Sequence, residues 1–221
     1  MFEKRLIRWT RYALPLMAFL LIMAIAAGAS AKRPNILFIV ADDLGYSDLG
    51  CYGGEFDTPV IDNLAKEGAR YTDFYVSPAC ATTRSMLLTG TDNHVAGLGT
   101  FENFVPPDAQ GKPGYEGWLN HRVVTVASLL RDAGYHTYMT GKWHLGYLPD
   151  QIPRARGFER DFTLLPGAAD HFSDGWSNEW QRAKAPYTED GKFIEKLPRD
   201  FYSTKNYTDK LIQFIEEGRE D

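Results

Sequence analysis

Three short segments of the chain hold side chains whose types and spacing could do chemistry. The first is Asp42-Asp43, followed by Leu44-Gly45. Adjacent carboxylates repel each other and are costly to bury unless a cation sits between them. A hard divalent ion with oxygen ligands, calcium or magnesium, would do that. A pair that caps a strand and faces water is the other reading, because acidic pairs are common turn formers. The second segment is Cys80-Ala81-Thr82-Thr83-Arg84-Ser85, which runs into Met86-Leu87-Leu88 and then Thr89-Gly90. A cysteine at the start of a short helix sits where backbone N–H groups and the helix dipole favour anions and lower a thiol pKa. Arg84, one turn further on, can point a fixed fork of donors at the same spot. On spacing alone the plainer reading prevails, a buried inert cysteine with a surface arginine. The third is Gly141-Lys142-Trp143-His144-Leu145-Gly146. Lys142 and His144 are two apart, so if strand geometry persists both leave the same face and put a cation and a titratable ring on one cleft wall. A surface lysine beside a partly buried histidine explains that pair equally well.

The elements that must position these groups alternate between strands and helices. Asn35 to Ala41 is a continuous apolar run between Pro34 and the acidic pair, as expected for a buried strand of a parallel sheet. Thr58 offers an N-cap, Pro59 a first helical residue, and Ile61, Leu64 and Ala65 an apolar stripe, with Gly68 placed to end the helix. Tyr71 to Val76 reads as a second strand. Val123, Val126, Ala127, Leu130 and Ala133 are spaced for a helix face ending at Gly134, and Tyr135 to Thr140 as a third strand. This β-α-β order makes the class α/β, and the three chemical segments fall at strand ends, where open α/β sheets place their ligands. Phe101 to His121 and Gly167 to Ser203 read as long loops walling a site, and Tyr207 to Glu217 as a last helix.

The first thirty-one residues read as an export signal. Lys4, Arg5, Arg8 and Arg11 form a basic start, Ala13 to Ala27 is an uncharged apolar run, and Ala29-Ser30-Ala31 offers a small-residue cleavage site. The run is shorter than the ~20 residues that span a bilayer, so cleavage is expected and a membrane anchor only if the signal stays uncleaved. Residues 32–221 are then one folding unit with a real core. Of the chain's 24 Lys and Arg and 29 Asp and Glu, four bases and one acid lie in the signal, leaving 20 against 28 and a balance of −8. An acidic body with no basic run excludes a nucleic-acid partner. An anionic substrate would have to be attracted locally, by a metal and a few cations. Cys51 and Cys80 could in principle pair in an oxidising compartment.

Taken together, the segments resemble the type I sulfatase family, most closely its bacterial arylsulfatases, from Arg33 to Asp221. The resemblance is carried by RPNILFIVADDLGYSDLG, DTPVIDNLAKEG, CATTRSMLLTGTDNHVAGLGT, GKPGYEGWLN and GYHTYMTGKWHLG, in that order. It implies an alkaline-phosphatase-like mixed sheet flanked by helices, incomplete at the C-terminus. It implies that Asp42 and Asp43 are ligands of a calcium ion, with magnesium the lesser candidate, and that Cys80 also faces the metal. By the same carry-over Cys80 is the nucleophile after a separate maturation enzyme oxidises it to formylglycine. The hydrated aldehyde attacks the sulfur of a small-molecule sulfate ester with one hydroxyl and expels the alcohol. The second hydroxyl then loses its proton, sulfate departs and the aldehyde returns, an exit that an unmodified serine or cysteine lacks. Arg84 would hold the diol, Lys142 would neutralise sulfate oxygens and His144 would assist deprotonation. A Cys51–Cys80 disulfide would preclude this, and a periplasmic or secreted location is implied.

The chain departs from the family pattern in two places. Thr82 stands where C-x-P-x-R has proline, within the segment the maturation enzyme reads. Family members are typically more than twice as long, and the resemblance places an Asp-Asn pair, a further lysine and a leaving-group histidine in sequence with no counterpart in these 221 residues. His94, His121, His136 and His171 read as structural or surface. Two alternatives follow: a phosphate or phosphonate monoester hydrolase of the same superfamily, and a truncated, catalytically inactive envelope protein.

Overall fold

The computed structural model describes residues 33–172 and 184–219, so the signal-like segment lies outside the described residues. The chain divides into two units, residues 1–41 and 42–221. Of the first, residues 33–41 carry no regular secondary structure, and Ile36, Leu37, Phe38 and Ile39 are 60–76% exposed. This corrects the buried strand expected at Asn35 to Ala41. A parallel strand exists only through ladder partners and apolar cover on both faces, and the described residues of this unit supply neither. The strand expected at Tyr71 to Val76 is also irregular and exposed, for the same want of a ladder.

In the second unit the helices start and stop where local chemistry directs. Helix α1 is Pro59–Glu67, with Pro59 in the first turn and the Gly68 N–H bonded to Leu64 O. The Thr58 hydroxyl accepts from Gly50 N (2.9 Å) and donates to Asp62 Oδ1 (2.8 Å), rather than capping the helix, and so ties α1 to the 3₁₀ turn Gly50–Tyr52. Helix α2 is Cys80–Thr89 and ends at Gly90, whose φ of 63° is the left-handed stop that glycine takes without strain. Helix α3 is Val126–Asp132, entered at Thr125, whose side chain accepts from Ser128 N. Strand β1 is Tyr138–Lys142, later than expected, and so reaches Lys142 itself.

β1 pairs in parallel with β2 (Arg160–Leu164), from Tyr138↔Arg160 to Lys142↔Leu164. β2 pairs antiparallel with β3 (Tyr187–Glu189), and β3 with β4 (Lys192–Phe193), giving a mixed sheet in the order β1-β2-β3-β4. None of the last three strands was legible, β3 and β4 lying in a stretch read as loop. Helix α4, Ser203–Glu217, lays Phe214 into a core with Phe162, Leu164, Tyr187 and Phe201. A second core gathers Ala81, Leu98, Leu119, Trp143, Leu145 and Leu165 around the ends of α2 and β1.

A clamp holds that second core in register. Arg156 is 5% exposed and donates to Asn120 O (2.9 Å), Val123 O (3.0 Å) and His121 Nδ1 (3.0 Å). From the clamped segment, Asn120 N donates to Ala96 O (3.0 Å) and Leu119 N to Leu145 O (2.9 Å). The chain that follows α2 and the turn that follows β1 are thereby tied to one strap.

Candidate active site

β1 delivers Lys142, and two further backbone bonds carry the chain past its end: Trp143 N to Leu164 O (2.8 Å) and His144 N to Leu165 O (3.0 Å). Trp143 and Leu145 are fully buried, and the Trp143 indole N–H donates to Gln151 O (3.0 Å). Between those anchors His144 takes φ 57°, a left-handed conformation uncommon outside glycine. Strand alternation therefore does not continue, and the same-face argument for Lys142 and His144 fails. A tightly held turn, instead, aims His144 Nδ1 to within 3.3 Å of Cys80 Sγ.

Cys80 is the first residue of α2, where helix amides have no carbonyl of their own to reach. One turn on, Arg84 is only 9% exposed, so it is not the surface arginine of the plainer reading. Its Nη1 donates to Lys142 O (2.8 Å), its Nη2 lies 3.5 Å from Asp42 Oδ1, and its buried Nε has no hydrogen-bond partner. Lys142 Nζ donates to Asp42 Oδ2 at 2.7 Å, with its side chain 12% exposed. One carboxylate is thus held between two nearly buried cations, with the thiol and imidazole of Cys80 and His144 joined to them through α2 and the end of β1. Asp43 follows at φ 55° and is exposed, and no bond joins its side chain to this cluster. Both cysteines are free.

Burial pushes the Asp42 carboxyl up, but the hydrogen bond and charge of Lys142, then Arg84, outweigh it and hold the group below the usual carboxylate value. Burial, then the charges of Lys142 and Arg84, drives His144 down from 6.5 to about 4, against a smaller upward pull from Asp42. The ring is therefore neutral at pH 7, with one nitrogen free to accept a proton. Because the folded value lies below the unfolded one, His144 favours folding fully above pH 6.5. That contribution is lost as the pH falls toward 4, where the unfolded chain takes up the proton first. A ring-nitrogen NMR titration is expected to place the His144 midpoint at about 4. A midpoint at 6.5 or above would contradict a buried neutral ring.

Asp42 and Asp43 are the right donors for a hard divalent ion but fall short of the ~6–8 oxygens that calcium takes. Among the described residues no three His, Cys, Asp or Glu side chains converge as a metal cage. Of the three ligands that the resemblance implied, Asp42 faces Lys142 and Arg84, Cys80 faces His144 and Asp43 faces solvent. The other histidines have structural partners: His94 with Asp92, His121 with Asp150 and Arg156, His136 with Glu159, and His171 with Ser203. Phe101, whose ring lies 5.6 Å from that of His144, carried no signal in the sequence beyond its place in a wall-forming loop.

Comparison with known proteins decides the family. The family model "Sulfatase" matches residues 34–221. The chain belongs to the sulfatase family. An uncharacterized sulfatase of Schizosaccharomyces pombe is 45% identical over 208 residues, 86% of this chain and 36% of the relative. An arylsulfatase of Klebsiella aerogenes is 42% identical over 203 residues, 90% of this chain and 43% of the relative. The crystal structure of Ps i-CgsB superposes with a TM-score of 0.70 at 30% identity, covering 85% of this chain and 42% of that one. This sulfatase chain has the mixed-sheet, alkaline-phosphatase-like architecture and spans less than half the length of the curated relatives it matches.

Thr82 stands where the resemblance to the family's C-x-P-x-R pattern implies proline. Its hydroxyl donates to Ala79 O (2.8 Å) and pairs with Ser77 Oγ (2.6 Å), which braces the turn into Cys80.

Proposed function

We propose that the protein hydrolyses sulfate monoesters, converting R–O–SO₃⁻ and water to an alcohol or phenol plus sulfate. The observation that carries this reading is the convergence of Cys80, His144, Lys142, Arg84 and Asp42 in a chain of the sulfatase family. The cations suit an anionic substrate despite the acidic balance of the chain, because they act at close range in a partly desolvated setting. Lys142 neutralises sulfate oxygens. Arg84 holds charge near Cys80, and its unpartnered Nε is the kind of buried donor that a bound oxyanion completes. Neutral His144 accepts the proton from the group at position 80.

A formylglycine made from Cys80 by a separate maturation enzyme would supply a hydrated aldehyde as nucleophile, with a second hydroxyl to release sulfate. A calcium ion held by Asp42 and Asp43, with further oxygens, would supply Lewis acidity and a lower nucleophile pKa. Magnesium is the lesser candidate. The basic and apolar opening of the sequence supports a periplasmic or secreted location. No nucleic-acid partner fits the acidic chain.

The test is the mass of the tryptic peptide Tyr71 to Arg84, from protein purified out of its native host without alkylation. A peptide lighter by the difference between CH₂SH and CHO is expected, which would also show that Thr82 is tolerated. A thiol throughout would overturn the formylglycine mechanism.

A further inference from the structure

We infer that His121 is a positioning residue for His144, acting through Arg156 and only while its own Nδ1 carries no proton. This goes beyond the sulfate-ester reading above and rests on it for the rate measurement alone. A guanidinium has N–H donors and no acceptor. Arg156 Nη1 lies 3.0 Å from His121 Nδ1, so that ring nitrogen accepts, with its lone pair turned to the arginine. The ring proton is then on Nε2, which donates to Asp150 Oδ2 at 3.2 Å. The Trp118 ring meets His121 edge-on at 5.3 Å, and the neighbouring charges of Arg122 and Glu116 pair with each other. Arg156 and Asp150 are thus the charged groups bonded to the ring.

A second proton alters one side of this arrangement. Nε2 keeps its hydrogen and Asp150 its bond, but Nδ1 gains a hydrogen that points at Nη1, and two positive charges then meet where a hydrogen bond stood. The partners are unequally placed to absorb that. The His121 side chain is 57% exposed and open to protons from solvent, whereas Arg156 is 5% exposed and bonds neutral acceptors, Asn120 O and Val123 O besides the ring. Burial already weakens the guanidinium's hold on its proton, and the charge of Asp150 opposes that. Protonated His121 therefore loosens the clamp. From the clamp the strap reaches the site in one step, because Leu119 N donates to Leu145 O (2.9 Å) and the fully buried Leu145 directly follows His144. The φ of 57° at His144 and its 3.3 Å approach to Cys80 depend on that side of the turn being tied down.

The experiment follows the ring nitrogens of His144 and His121 by NMR in the full chain, in wild type, His121→Asn and His121→Leu, from about pH 8 to about pH 5. Asparagine places an oxygen where Nδ1 stood and cannot titrate, and leucine offers no acceptor. In wild type the His144 signals are expected to shift in step with the titration of His121, clear of their own midpoint at about 4. That step should vanish in His121→Asn, with His144 held at its high-pH position. His121→Leu should show the low-pH position throughout. On an aryl sulfate, His121→Leu is expected to lower kcat by about three- to thirtyfold with little change in KM, and His121→Asn to restore it. His144 signals that ignore the titration of His121 in wild type overturn the proposal, as do His144 signals in His121→Leu that match wild type at high pH. If thermal unfolding shows that His121→Leu does not fold, the comparison of wild type with His121→Asn decides alone. If wild type hydrolyses no sulfate ester, the sulfate-ester reading falls instead, and the nitrogen signals still decide the role of His121.

Discussion

Cys80→Ala is expected to lower kcat/KM for an aryl sulfate by at least about 10⁴-fold while leaving the fold intact. Under the proposed mechanism the side chain at position 80 is the nucleophile, and the neighbouring cations and imidazole have nothing to activate without it. Its structural share is small. Sγ meets His144 Nδ1 at 3.3 Å, and alanine is the better helix former at the start of α2. Stability by urea unfolding should therefore stay within about 1 kcal/mol of wild type. Activity that survived within tenfold would place the nucleophile elsewhere and remove the basis of the mechanism.

Asp42→Asn has the second large effect, and it acts on stability and turnover together. The carboxylate lies between Lys142 Nζ at 2.7 Å and Arg84 Nη2 at 3.5 Å, and those side chains are 12% and 11% exposed. Neutralising it leaves two nearly buried cations facing each other. Asp42 itself is 41% exposed, so solvent screens part of the loss, and a cost of about 1–2 kcal/mol is expected. Turnover should fall by about 10²–10³-fold, since Lys142 and Arg84 lose the anion that sets their positions. Adding Lys142→Met should recover part of the stability and none of the activity. An unchanged unfolding midpoint in Asp42→Asn would show that the clasp contributes nothing. Acid acts on the same contact. The Asp42 carboxyl sits below its ordinary 3.8, so its contribution is complete above that pH and disappears as the pH falls through the lower folded value.

Local signals and long-range partners account for what the sequence did and did not disclose. α1 was legible because Thr58, Pro59 and Gly68 mark its ends within ten residues, and α2 because a glycine in a left-handed conformation stops it. β2 was hidden by its own charges. Arg160 is satisfied by Asp190 and Glu217, and buried Asp161 by Thr188 Oγ1 (2.6 Å) and Gly191 N (2.8 Å), partners that no local window contains. Asn35 to Ala41 failed in the opposite way, with a strong local pattern and no ladder among the described residues to use it. Within the site, Cys80, Arg84, Lys142, His144 and Asp42 were legible as residues, but the route that joins them was not. It depends on the left-handed turn at His144 and on the Arg156 clamp, both set by packing remote in sequence.

The brace at Thr82 bears on how such a chain can vary over generations. In the first turn of a helix the backbone N–H has no carbonyl within the helix to reach, so proline at position 82 would forfeit no helical bond, only the hydroxyl's contacts with Ala79 and Ser77. Threonine and proline codons differ by one base. The backbone that presents Cys80 is therefore a permissive ground for that exchange. Under the proposed mechanism, selection at position 82 falls on whichever maturation enzyme must recognise the segment, and the two proteins would be expected to drift as a pair.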